Sequence, residues 1–174
     1  MSVFLVLTVI GDDKPGLVEQ LSVTISRHQG NWLESSMSHL AGKFAGILKV
    51  SIPSNQADAL KAALGNLSQL KVIAETSVDA TPKQFNRKLT LNLVGNDRIG
   101  IVREVSQVLA KHTVNVEKLT TFTSSAPMSG DVLFHAKAEL EADASLDAPA
   151  LQRELEQLSN DLIVDITLDE IISA

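Results

Sequence analysis

Apolar positions fall into the same order of patterns twice along the chain. Val3–Ile10 is a nearly unbroken apolar, β-rich run, and Lys88–Val94 is another, so both predict strands. A short polar turn follows each, Gly11-Asp12-Asp13-Lys14 in one case and Gly95-Asn96-Asp97-Arg98 in the other. Helical spacing then takes over. Leu17, Val18, Leu21 and Ile25 form one apolar stripe, and Ile101, Val102, Val105, Val108 and Leu109 form the other. Asp13 and Asp97 are expected to cap these helices, and Pro15 suits a first helical turn. Gly30 suits the stop of the first helix. Second strands are predicted to open near Asn31 and Asn115. One returns through a hairpin at Leu40-Ala41-Gly42-Lys43, the other through the longer Ser124–Gly130. Third strands at Ala45–Ile52 and Val132–Leu140, helices at about Gln56–Leu67 and Ala148–Leu158, and final strands at Val72–Val78 and Leu162–Leu168 complete the two sets.

The two sets are copies. Asp13 and Asp97 lie 84 positions apart, and at that offset Leu7–Leu33 aligns without a gap on Leu91–Glu117. Leu7, Gly11, Asp13, Gly16, Val18, Ser22, His28 and Asn31 meet identical residues, and Lys14, Leu17 and Arg27 meet Arg98, Ile101 and Lys111. A repeat of this length marks a tandem duplication. Each copy reads βαββαβ, so the fold class is α+β, two ferredoxin-like units with antiparallel sheets. The expected domains are 1–80 and 88–174, joined by a polar, Pro82-containing linker at 81–87.

Composition narrows the chemistry. The absence of cysteine removes disulfides, thiolate metal sites and a cysteine nucleophile together, and fits a cytoplasmic protein. The N-terminus has no basic stretch of the kind that opens a signal peptide, and no apolar run approaches the roughly 18 residues of a membrane span. The formal charge of −6, with no Lys/Arg cluster, disfavours direct nucleic-acid binding. Neither a G-x-S-x-G elbow nor a dinucleotide or Walker fingerprint occurs. No catalytic residue, metal site or cofactor is therefore expected.

The turns at Gly11–Leu17 and Gly95–Ile101 carry the strongest local signal. A helix N-terminus presents unpaired N–H groups and partial positive charge to a carboxylate. Gly16 and Gly100 permit close approach, and Asp13 or Asp97 can accept from an ammonium. Asn31 and Asn115, opening the next strand, both donate and accept. These groups suit a zwitterionic amino acid; they also suffice for a tight turn and a capped helix. His28 and His112 at matching helix ends read as partners of the helix dipole rather than metal ligands. His39 and His135 lack ligand-like spacing, and Glu139, Glu141 and Asp143 read as a solvated acidic edge. Trp32 reads as a core or interface anchor, with a pocket wall as the alternative.

The pattern G-x-D-[KR]-x-G-[LI]-V, then a helix, then His-x-x-Asn opening a strand, resembles the ACT domain, in two copies covering nearly the whole chain. The resemblance implies binding of a small effector, usually an amino acid, where two such domains pair. By the same resemblance the contacts fall on Asp13, Gly16, Leu17 and Asn31, and on Asp97, Gly100, Ile101 and Asn115. Ile99 stands where the first copy has Pro15. A free-standing pair of such domains, with Ser35, Ser36 and Ser38 on the second strand and Gly42-Lys43-Phe44-Ala45 after it, is similar to the glycine cleavage system transcriptional repressor family. That likeness implies a regulator that senses a small amino acid, glycine being one candidate, and acts through a DNA-binding regulator protein rather than on DNA. The competing reading is a ligand-free protein-interaction module. A homodimer is one way to pair the domains.

Overall fold

The computed structural model describes residues 1–77 and 87–171, with side chains through residue 167. The chain divides into two compact units, Met1–Pro82 and Lys83–Ala174. Unit 1 runs β1 (Ser2–Asp12), α1 (Leu17–Arg27), β2 (Asn31–Leu40), β3 (Lys43–Pro53), a 3₁₀ turn (Ser54–Gln56), α2 (Ala57–Gly65) and β4 (Leu70–Ser77). Unit 2 runs β5 (Arg87–Asn96), α3 (Ile101–Lys111), β6 (Asn115–Ser125), β7 (Val132–Ala142), α4 (Ala148–Glu156) and β8 (Ile163–Ile171). Each is a four-stranded sheet, ordered β2-β3-β1-β4 and β6-β7-β5-β8, with every neighbouring pair antiparallel. Both units are ferredoxin-like, as the element order predicts.

Strand alternation builds each core. Leu5, Leu7 and Val9 of β1 point to the helices and are fully buried, with Leu21 and Ile25 of α1 and Leu60 and Leu64 of α2 against them. In unit 2, Leu89, Leu91 and Leu93 of β5 meet Leu109 of α3 and Leu151 and Leu155 of α4. Each such side chain contributes roughly 1.5–3 kcal/mol on burial. The outward sheet faces differ. Val6, Ile10, Ile47 and Ile73 are exposed on unit 1. The sheet registers place Lys137 of unit 2 where Ile47 stands, and Asp165 where Ile73 stands.

Several boundaries differ from expectation. Gly11 and Asp12, expected in a turn, continue β1, because both still pair with β3. Arg87, expected in the linker, is the first residue of β5; residues 81–86, the rest of that linker, lie outside the described residues. The β2–β3 connection is only Ala41-Gly42, at φ 49 and φ 76. Two left-handed residues form the turn whose twist matches the flanking strands. Ser54–Gln56, of which Gln56 was expected in the second helix, form a 3₁₀ turn ahead of α2.

Candidate functional site

The β1–α1 turn is built around a left-handed glycine. Gly16, at φ 91, is the N-cap of α1, and Gly100, at φ 90, is the N-cap of α3. Neither helix receives a side-chain cap hydrogen bond. Asp13 and Asp97 therefore do not cap these helices. They sit three residues ahead of the N-cap, and their backbone N–H groups close the strand end instead. Asp13 N–H donates to the Gly42 carbonyl at 3.0 Å, and Asp97 N–H to that of Val132 at 2.8 Å. Pro15 likewise precedes the helix rather than opening it. Both Asp side chains face solvent.

The start of α1 is consequently open. A Cβ built on Gly16 would meet nothing within 4 Å. Leu17 and Ile101 bury their side chains in the cores, so what they bring to the turn is backbone N–H. The first-turn N–H groups of α1 lack intrahelical partners, which makes a place for a carboxylate, whereas the Ile101 N–H of α3 already donates to the Arg98 carbonyl at 3.4 Å. The preceding glycines, Gly11 and Gly95, are required by close approach. A Cβ on Gly11 would lie 2.4 Å from the Gln69 carbonyl oxygen, and one on Gly95 would lie 2.7 Å from Leu162 Cδ1.

Charged neighbours distinguish the two turns. In unit 1, Lys43 pairs with Asp12, and that lysine holds the Asp12 carboxyl below its usual range. In unit 2, Arg98 reaches across the turn to Glu104 at 2.5 Å, which depresses the Glu104 carboxyl. The Arg103 guanidinium stands 3.5 Å from where a Gly100 Cβ would be. Asp161 accepts from the Asn96 N–H at 2.8 Å, and hydrogen bonds from Ser159 and then from that N–H hold its carboxyl low. The first turn is open, whereas the second is hemmed by ion-paired side chains.

Asn31 and Asn115 are not beside these turns. Asn31 pairs with Ser51, which on its other side pairs with Phe4. Gly11 lies seven residues further along β1, roughly 24 Å away at strand spacing. Asn115 stands in the same relation to Gly95, since Asn115 and Lys88 both pair with Glu141. The reason is topological. The helix after the turn carries the chain back about 16 Å along the sheet before the second strand begins. Within one unit, Asp13, Gly16 and Leu17 are together and Asn31 is at the opposite end; the same split separates Asp97, Gly100 and Ile101 from Asn115.

The remaining candidates take structural places. His28 Nδ1 lies 2.8 Å from the Thr24 carbonyl oxygen at the end of α1, and His112 Nε2 lies 2.7 Å from Glu154 Oε2. Trp32 packs half-buried against the unit 1 core. Among the described residues, no group of three or more His, Cys, Asp or Glu side chains is arranged to hold a metal, and no helix is long and apolar enough to cross a membrane.

Residues 3–76 match the ACT domain family. Among solved structures, a protein of unknown function from Galdieria sulphuraria is 26% identical, covering 98% of this chain and 100% of its own, at a TM-score of 0.86. A candidate glycine cleavage system transcriptional repressor is 16% identical over 97% of this chain and 99% of its own, at a TM-score of 0.67. The second likeness is one of fold. No curated protein matches the sequence.

Proposed function

We propose that this chain, whose first unit matches the ACT domain family and whose second repeats the same fold, is a regulatory module that binds a small amino acid. The observation that carries this reading is the helix start behind Gly16, left-handed, open and without a side-chain cap. The ligand carboxylate takes the first-turn N–H groups of α1, and the exposed Asp13 carboxylate takes its ammonium. Asn31 stands at the far end of its own sheet, so in this reading the asparagine comes from a second copy of the chain. Site formation thereby depends on how copies pair, which is what couples ligand to regulation. An effector acts only through differential affinity for two states. The output runs through a DNA-binding regulator protein rather than through DNA. The net charge of −6 supports this, as does the fold shared with the candidate glycine cleavage repressor. That likeness also makes glycine the first effector to try.

The test is thermal stability against a panel of amino acids at millimolar concentration. A ligand selective for the native state adds RT ln(1 + [L]/Kd), about 2.7 kcal/mol at a hundred times Kd. One selective stabiliser is expected, with affinity weakened about tenfold or more by Asn31→Ala or Asn115→Ala; undiminished affinity in both variants removes the asparagines from the site. A second reading, a ligand-free interaction module, is favoured by the exposed apolar residues Val6, Ile10, Ile47 and Ile73 on one sheet face of unit 1. A flat panel, followed by stable capture of a defined partner, would establish that reading instead.

A further inference from the structure

We propose that unit 2 contains a second, separate ligand pocket, between α3 and the edge strand β6, that takes a branched aliphatic group of about four carbons. A hollow of about 50 Å³ lies there. Val105 and Ser106 of α3 form one wall, Val116, Leu119 and Thr121 of β6 the other, and Ala138 of β7 part of the floor. Carbon lines it almost completely. The Ser106 and Thr121 hydroxyls alone bring side-chain oxygen, and Ser106 already donates its proton to the Arg103 carbonyl at 2.9 Å. A water needs about 10–15 Å³ of such space and two to four polar partners, so the hollow has room for several waters but few groups to hold them. Hydrocarbon suits it better.

The duplication supplies an internal control. Sheet register and the 84-residue offset place Trp32 of unit 1 where Val116 stands in unit 2, Met37 where Thr121 stands, Leu48 where Ala138 stands and Leu21 where Val105 stands. In unit 1, Leu21 and Leu48 are buried, and Trp32 and Met37 pack against the same core. Unit 2 has the smaller side chain at all four places. Leu119, Leu93 and Ala136, where unit 1 has Ser35, Val9 and Gly46, change in the other direction, and Leu119 is half exposed at the mouth. Side chains fill the position in one copy and leave it hollow in the other. An unfilled apolar hollow destabilises its unit, and an aliphatic ligand removes that penalty.

The pocket is independent of the proposed amino-acid site, and isobutanol separates the two because it has neither carboxylate nor ammonium. Methyl NMR of the full chain titrated with isobutanol is expected to show saturable shifts at Val105, Val116 and Leu119. These shifts should persist in the Asn31→Ala, Asn115→Ala double variant. They should vanish in Ala138→Leu, which restores the unit 1 residue and raises the thermal midpoint. Val116→Trp provides a second filled variant should Ala138→Leu fold poorly. Absence of saturable shifts in the unaltered chain, or their survival in a folded filled variant, overturns the proposal.

Discussion

Gln29 and Thr113 occupy the position after the helix C-cap where glycine is usual. Both are left-handed, at φ 62 and φ 56. The hydrogen bonds define the motif. Gly30 N–H donates to the Ile25 carbonyl and Gln29 N–H to that of Ser26, while Val114 and Thr113 repeat the pair on Leu109 and Ala110. Gly30, expected to provide the stop, is one residue too late. It is constrained by packing instead, since a Cβ there would lie 2.8 Å from Ile25 Cγ2. The left-handed conformation costs a non-glycine residue roughly 1–2 kcal/mol, and a β-branched residue is the worse fit. Glycine gives back part of that gain as entropy. Gln29→Gly is therefore expected to stabilise by about 0.5 kcal/mol, and Thr113→Gly by about 1 kcal/mol, read from the urea midpoint. A loss of stability in both would mean that the side chains make compensating contacts.

At the scale of elements, the helix pair of unit 2 carries a charge clamp that unit 1 lacks. Glu154 of α4 accepts from Lys111 at 2.6 Å and lies 2.7 Å from His112, both at the end of α3. These partners, Lys111 first and His112 second, hold the Glu154 carboxyl below its usual range. In acid the folded chain thus binds fewer protons there than the unfolded chain does. The contribution is complete above the ordinary glutamate range and is lost as pH falls through the depressed value. Acid titration of thermal stability should show this slope, and Glu154→Gln should flatten it; an unchanged slope would show that the clamp is loose in solution. Nothing in the linear pattern announced the clamp, because it joins residues more than forty apart. The element order, by contrast, was legible, since alternation in β1 and β5 and helical spacing in α1 and α3 are local signals. Capping was legible only in part. Asp13 satisfies the residue preference for a cap, yet the left-handed Gly16 takes the position, while Asp147 does cap α4 by accepting from Ala150 N–H at 3.0 Å. The turn half of the candidate site was likewise local. The place of Asn31 was not, because only strand order reveals that the helix has returned the chain to the other end of the sheet.

For the whole molecule, charge decides which partners the two sheets can accept. A ferredoxin-like sheet reads RNA when exposed aromatics stack bases amid basic side chains. Unit 2 has one element of such a surface, Phe122 stacked on His135 with centroids 4.5 Å apart and planes 4° from parallel. Lys118 and Lys137 lie on the same face. Glu139 pairs across the ladder with Lys118, however, and Asp165 stands beside Asn92, the neighbour of Lys137. Alternating signs cancel the field that would displace counterions from phosphate, and the chain as a whole carries six more acidic than basic residues. Fluorescence anisotropy with labelled single-stranded RNA and duplex DNA at low salt, where electrostatic binding is strongest, is therefore expected to show no saturable rise. A saturable, salt-sensitive rise abolished by Lys118→Glu and Lys137→Glu would place nucleic acid on this sheet and overturn regulation through a protein partner. A flat titration leaves the exposed apolar face of unit 1 as the surface on which to seek that partner, with Ile47→Lys and Ile73→Asp, the residues unit 2 carries at those places, as the variants expected to release it.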